Sequence, residues 1–382
     1  MKKIAWILHG NYVNEGRVYK ESQTLSKAGY EVRLYATWKH GLARHEFEGS
    51  VEIIRIDLPV LRLLKVPLYR AKLFMPFYSL KLILLVRNYN PDILHCMNFW
   101  TLHIGFIYKL FFRKPFLYDS HDLFLGQNHF NTGLRKVRFI YKLLEHFFAK
   151  QAVSTFQTTN ARQFAFKQEH GIDSYVIMNK SFKPEVKKSV LNSQDYPKLA
   201  STKLKLVYVG SIQFDRGIEE VISFIKNNDN IDFFLLGNPN GAWGRSFLES
   251  NKNYLTWIPA VPPEDVTCAL QSFDLGITLI QNTCDSYYRC CPTKMWELIA
   301  AGVPQIASDF PEIRRVLVGD ENNPMGWVID PGNKEILQEV LTDVIRNPQK
   351  INLIKKNLAK VNDDFTWCHE AKKLLFIYKS LI

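Results

Sequence analysis

Apolar residues in this chain come in short blocks, and the spacing between blocks alternates between strand-like and helix-like periods. KIAWIL (3–8) is a brief, nearly continuous apolar run of the length of a buried strand. A polar turn, HGNYVNEG (9–16), leads into RVYKESQTLSKAG (17–29), where Leu25 and Ala28 fit one buried side. Gly29 stands where a helix ends, because glycine takes the left-handed conformation of the residue after a helix without strain. YEVRLYAT (30–37) alternates apolar and polar residues, as a half-buried strand does. VEIIRID (51–57), PDILHCM (91–97) and PFLYDSH (115–121) add three more strands. Strands separated by helical patterns need crossover connections, which predicts a parallel sheet covered by helices.

The periodicity lapses at 183–203, where two prolines, lysines and serines predict a linker. It then restarts. KLKLVYVG (203–210), IDFFLLG (231–237), LTWIP (255–259), DLGITLI (274–280) and PQIAS (304–308) read as strands. Helices are expected at RGIEEVISFIKNN (216–228), PEDVTCALQS (263–272) and KMWELIAAG (294–302). The tail, DDFTWCHEAKKLLFIYKSLI (363–382), reads as an amphipathic helix. The organisation expected is a first domain at 1–183, a linker at 184–203 and a second domain at 204–365. A final helix, 366–382, should pack back on the first domain.

A length of 382 residues suits two such domains, and 47% hydrophobic with 23% charged residues excludes a disordered chain. The six cysteines form no C-x-x-C pair, which points to reduced thiols in a cytosolic protein. The first apolar run, Ile4 to Leu8, is too short for a signal peptide's core, and no run is long enough to span a bilayer. Charge changes the picture more. Residues 1–200 hold 30 Lys and Arg against 15 Asp and Glu, whereas 201–382 hold 19 against 22. Such segregation points to two domains with different partners, one of them polyanionic.

Candidate chemistry gathers in the second half. VYVG, then SIQFD, then RG opening a helix puts Gly210 at a strand's carboxyl end and aims free helix amides at an anion. Arg216 adds a bidentate cation for phosphate. In PTKMWELIAAGVPQIAS (292–308), Pro292 opens a helix on which Lys294 and Glu297 share a face near its positive end. The lysine suits a diphosphate, and the carboxylate suits ribose hydroxyls. In the first half, His121 and Asp122 follow a strand and form a candidate acid–base or oxyanion-stabilising pair.

VYVGSIQFDRGIEEVI followed by PTKMWELIAAGVPQIAS resembles the donor-binding half of the retaining family 4 glycosyltransferases. EGRVYKESQTLSKAGYEVRLYA, PDILHCMN and LYDSHDLF resemble their acceptor half. The resemblance implies the GT-B fold, an α/β architecture of two Rossmann-like domains whose parallel sheets face a central cleft. It implies that Arg216 and Lys294 contact the donor diphosphate and that Glu297 holds the nucleotide ribose. It also implies that His121 faces the transferred sugar, with Asp122 beside it, and that Gly10 approaches the donor phosphates. Asn11, Glu15 and Arg17 fall in the corresponding amino-terminal loop region. Two positions depart from the pattern. Arg289 stands where the family has the first glutamate of its pair, and Ser211 follows Gly210 where a basic residue is common.

No Asp-x-Asp metal anchor occurs, so neither a metal nor another cofactor is expected. HGNYVNEG lacks the G-x-G-x-x-G spacing of a dinucleotide site. Basic and apolar residues interleave at 60–87 (with Lys65, Arg70 and Lys72), 105–116 and 133–150, as in helices that lie in a headgroup layer. Nucleic-acid-binding signatures are absent, so nucleic acid is not an expected partner. The expectation is a peripheral enzyme on the cytoplasmic face of an anionic membrane. It would transfer a hexose or N-acetylhexosamine from a nucleotide-sugar donor to a saccharide or lipid-linked acceptor in cell-surface polysaccharide assembly. A nucleotide-sugar epimerase and a non-catalytic membrane adaptor are the alternatives.

Overall fold

Eight strands build the first sheet: β1 (Lys3–Ile7), β2 (Glu31–Thr37), β3 (His45–Glu48), β4 (Val51–Ile56), β5 (Ile93–Met97), β6 (Phe116–Ser120), β7 (Ser154–Gln157) and β8 (Tyr175–Val176). Six build the second: β9 (Leu204–Val209), β10 (Ile231–Leu236), β11 (Leu255–Ile258), β12 (Leu275–Thr278), β13 (Gln305–Ser308) and β14 (Gly326–Ile329). The computed structural model describes residues 1–13, 15–57, 75–182, 190–360 and 363–381. Lys65, Arg70, Lys72 and positions 184–189 of the expected linker lie outside these residues.

The chain divides into two compact units, Met1–Ile177 with Ala371–Ile382, and Met178–Glu370. The division falls ahead of the linker expected at 184–203, so the described part of that segment belongs to the second unit. The last helix, Trp367–Leu381, contributes its residues from Ala371 onward to the first unit.

The first sheet runs β3-β4-β2-β1-β5-β6-β7-β8, and the second runs β11-β10-β9-β12-β13-β14. The second sheet is parallel throughout. The first departs from the expected all-parallel sheet at its edge, where the short strand β3 returns antiparallel on β4. A tight turn at Gly49, with φ of 61°, permits that reversal. The apolar runs WI, ILHCM and FLY are buried on both faces, as crossover helices require. In each sheet the chain order reverses beside the strand that begins the unit, between β1 and β5 and between β9 and β12. Ligands bind open parallel sheets at the carboxyl ends of the strands beside such a reversal.

Candidate functional site

At the reversal in the second sheet, β9 ends on Tyr208, Val209 and then Gly210, which has φ of 121°. A glycine is needed here for a second reason. Gly237 follows the neighbouring strand β10 with φ of 151°, and a Cβ on it would lie 1.9 Å from the Gly210 carbonyl oxygen. Two bare backbones therefore touch at the carboxyl edge. Gly244 repeats the close approach, where a Cβ would come within 2.5 Å of the Ile212 carbonyl oxygen.

The helix expected from Arg216 begins later, at Ile218, and runs to Ile225. Gly217 caps it in the left-handed conformation and presses on Leu279, leaving Arg216 outside the helix. Arg216 donates to the Tyr287 hydroxyl at 3.3 Å, and its guanidinium lies 5.0 Å from that ring's centre. The helix Thr293–Ala301 starts one residue after Pro292, which occupies the cap position. Lys294 in its first turn donates to the Tyr208 hydroxyl at 3.0 Å, and the hydroxyl donates in turn to the Ser211 carbonyl at 2.7 Å. Its Nζ also lies 4.2 Å from the centre of the Tyr208 ring. A Cβ on Gly210 would stand 3.7 Å from that ammonium, so an anion approaching the glycine backbone meets Lys294.

Burial and then the neighbouring Arg216 pull the Lys294 ammonium down to about 7, with Glu297 opposing. Two neighbouring cations partly out of water repel each other, and a bound diphosphate would relieve that repulsion. Glu297 lies one turn on from Lys294, partly buried. Arg289 terminates the short helix Asp285–Tyr288 and pairs with Asp285 at 2.8 Å, and Ser211 is exposed. The structure thus gathers Gly210, Ser211, Arg216 and Lys294 through Tyr208 and Tyr287, two residues the sequence reading passed over. Tyr208 was discoverable, since on a strand it shares a face with Gly210 two positions on.

In the first unit, Gly10 follows β1, and a Cβ on it would stand 3.8 Å from the Glu15 carboxylate. Burial, then Asp122, pushes the Glu15 carboxyl above its ordinary range. Asn11 offers its carbonyl to Arg55 at 2.9 Å. Asn98, which follows β5 with φ of 63°, accepts from the His121 backbone N–H at 3.1 Å. Asp122 is exposed and pairs with Arg162 at 3.2 Å. Arg162 also donates to the His121 carbonyl, so it staples the turn that carries both residues.

Arg17 corrects the sequence reading. It lies on the first turn of the helix Gly16–Lys27, is 2% exposed, and faces the sheet rather than a ligand. It donates to both carboxylate oxygens of Asp119 at 2.9 and 3.2 Å and meets Glu21 at 2.9 Å. Glu21, His95 and Asp119 approach closely enough to hold a cation, and the Arg17 guanidinium already lies against both carboxylates. His121 Nε2 stands 3.5 Å from Asp119. Burial is the main cause that lowers the His121 imidazole to about 4, with Arg17 adding and Asp119 opposing, so the ring is neutral at pH 7.

Residues 15–179 match the model of Glycosyltransferase Family 4, and residues 192–361 match that of Glycosyl transferases group 1. No curated protein matches the chain. Among solved structures, the sucrose-phosphate synthase tll1590 of Thermosynechococcus elongatus aligns over 100% of this chain and 99% of its own, with 16% identity and a TM-score of 0.81. Anabaena Alr3699/HepE in complex with UDP-glucose aligns over 100% of both chains, with 16% identity and a TM-score of 0.73. The α,α-trehalose-phosphate synthase (UDP-forming) of Burkholderia vietnamiensis aligns over 100% of both, with 10% identity and a TM-score of 0.71. The shared fold is GT-B, with both units Rossmann-like.

Proposed function

Because the chain belongs to the family 4, group 1 glycosyltransferases, we propose that it moves a hexose or N-acetylhexosamine from a nucleoside-diphosphate sugar to a lipid-linked saccharide, with retention. The observation that carries the donor half of this reading is the pairing of Arg216 and Lys294 around the Gly210 turn at a sheet reversal. Catalysis is then mainly electrostatic. Arg216, Lys294 and the amino-terminal end of the helix Ile218–Ile225 stabilise the departing diphosphate, and that diphosphate accepts the proton of the attacking hydroxyl. Neutral His121 offers a ring nitrogen as hydrogen-bond acceptor on the acceptor side without competing for the diphosphate charge. Glu297 holds the ribose. The protein's own cations do the neutralising, so transfer should survive excess EDTA.

The lipid-linked acceptor is supported by a surface of the first unit. On the helix Arg138–Ala149, Phe139, Ile140, Leu143, Leu144 and Phe147 form one apolar stripe, and Phe139 is 66% exposed. Leu110 and Phe111 on the helix Leu102–Phe112 extend it, joined through the Phe106–Phe147 ring contact at 5.1 Å. Exposed Arg113, Arg135, Lys136 and Lys150 flank the stripe. Among the described residues no helix is long and apolar enough to cross a membrane, and a stripe of this kind suits an anionic leaflet's headgroup layer.

The test has two arms. Thermal-shift screening against UDP-, GDP-, ADP- and CMP-sugars should give one stabilising donor, because a ligand that binds only the folded state raises its stability. Sedimentation with anionic vesicles should exceed that with neutral ones and weaken as salt rises, and Phe139→Ser with Leu143→Ser should abolish the salt-resistant part. No stabilising donor would remove the transferase reading. Equal sedimentation with both vesicles would replace the lipid-linked acceptor by a soluble one.

A further inference from the structure

One buried polar cluster in the first unit is left without a role by that mechanism. β1, β5 and β6 run side by side, with Trp6 opposite His95, His95 opposite Leu117, and Met97 opposite Asp119. Side chains two apart along a strand share a face, so His95 and Asp119 point to the same side. The helix Gly16–Lys27 brings Arg17 and Glu21 to that side, and the last helix brings Tyr378. Arg17, Glu21, His95, Asp119 and Tyr378 are each at most 2% exposed. The Tyr378 hydroxyl lies 2.6 Å from His95 Nδ1, and His95 Nε2 lies 3.3 Å from Asp119 Oδ2. Trp6 stacks on the His95 ring at 3.6 Å, which fixes its plane.

We propose that Tyr378 and His95 are positioning residues for His121, acting through the Asp119 carboxylate, so that the chain's last helix helps to set the protonated nitrogen of His121. The inference rests on the reading of His121 as an acting group.

Charge balance comes first. The cluster holds one guanidinium and two carboxylates, so burial favours one further proton. Burial holds the Glu21 carboxyl up at about 8, against Arg17 and the nearby Lys20. Arg17, His121 and His95 together hold the Asp119 carboxyl far below its ordinary range, overcoming its own burial. Glu21 therefore carries the proton, and Asp119 stays anionic. Burial, then Glu21, Asp119 and Tyr30, keep the Tyr378 hydroxyl protonated, and because the anionic Asp119 oxygen draws the single hydrogen of a neutral His95 to Nε2, the hydroxyl donates to the bare Nδ1. Burial keeps the His95 ring neutral. Its hydrogen then resides on Nε2, facing Asp119.

The same Asp119 oxygen faces His121 Nε2 at 3.5 Å. An anionic oxygen there favours a hydrogen on Nε2 and leaves Nδ1 as the acceptor of the His121 ring. The charged or titratable groups around His121 are Asp119, Arg17, Asp122 and His95. Of these, Asp122 is solvated and Arg17 is locked, so the tautomer follows the Tyr378–His95–Asp119 line.

The full chain labelled with 15N-histidine gives the readout, by two-bond nitrogen–proton correlation. Both His95 and His121 should appear neutral with hydrogen on Nε2 at pH 6 to 7. Tyr378→Phe removes one hydroxyl and keeps the ring. It should mix the His95 tautomers, perturb the His121 signals, and slow release of the nucleoside diphosphate from the stabilising donor about fivefold or more with nucleotide affinity unchanged. Glu21→Gln, a second variant that fixes the extra hydrogen, should abolish the drift of both histidine signals between pH 7 and 9. Unchanged histidine signals and rate in Tyr378→Phe would overturn the proposal, as would a lowered melting temperature alone. If Tyr378→Phe does not fold, unaltered pH drift in Glu21→Gln overturns it instead. His121→Ala separates the premise: release of the nucleoside diphosphate as fast as in the unmodified chain would remove the role of His121 and leave the tautomer pattern standing.

Discussion

At the carboxyl edge of the first sheet, Arg17, Glu21, His95 and Asp119 are sealed from solvent and neutralise one another. At the equivalent edge of the second, Arg216, Lys294 and Arg289 stand partly open, and two of the three rest on tyrosines rather than carboxylates. The difference follows from what each edge must do. A closed network has spent its charges on internal partners and can only hold a shape. Cations propped on aromatic rings and hydroxyls keep their charge available for an incoming anion. The first unit thus positions, and the second receives.

The largest expected effect breaks the second edge at its backbone. Gly237→Ala would drive a methyl into the Gly210 carbonyl and strain a φ of 151°, so a loss of about 4–5 kcal/mol or more is expected. Gly133→Ala, with nothing within 4 Å, should move stability by about 0.5 kcal/mol or less. Chemical denaturation of both variants checks the contrast. Comparable stabilities would mean that the two glycine backbones do not touch.

Next in size is the charge contrast itself. Arg17→Met leaves two buried carboxylates without their cation and should cost about 3–5 kcal/mol. Arg289→Ala breaks a partly exposed pair with Asp285 and should cost about 1 kcal/mol or less. If Arg17→Met were as mild as Arg289→Ala, the first cluster would not be the closed network described.

Much of this was written in local sequence, and some could not be. Strand, glycine and helix in VYVGSIQFDRGIEEVI placed Gly210 and Arg216, because a strand's end and a helix's start are neighbours in chain and in space. That helix starts two residues later than its sequence pattern predicts, since a glycine packed against Leu279 is a tertiary fact. The buried ion pairing of Arg17 is not legible beside the amino-terminal loop, because its partner Asp119 lies 102 positions away and is brought to it by strand register. Tyr378, 283 positions from His95, is further beyond local reading. The basic, apolar segment at 133–150 announced an amphipathic helix. Only the fold reveals that Phe139 and Leu143 face solvent while Glu145 and Ala149 are buried.

A smaller effect sharpens the comparison through pH. Glu21 is an acid whose folded value, about 8, lies above its unfolded one near 4.5. The folded chain therefore holds the extra proton between those values, and the stability it contributes, full below about pH 4.5, is lost as pH rises to about 8. Asp119 has the opposite sign, since its depressed value adds stability that is lost only in acid. Glu21→Gln should flatten the slope of stability between pH 5 and 8 relative to the unmodified chain, measured by denaturation at each pH. An identical slope would place the proton elsewhere.

The most direct test of the central claim, that the second unit receives a nucleoside diphosphate through Arg216 and Lys294, is calorimetric titration with UDP, GDP and ADP. One of the three should bind. At pH 8 the binding heat should vary with buffer, because an anion beside Lys294 raises an ammonium held at about 7 and draws in a proton. Lys294→Ala and Arg216→Ala should each weaken the binding about tenfold or more, the loss of one charge-assisted contact. His121→Ala and Arg17→Met, if folded, should leave it nearly unchanged. Binding of none of the three, or equal affinity in all four variants, would contradict the account.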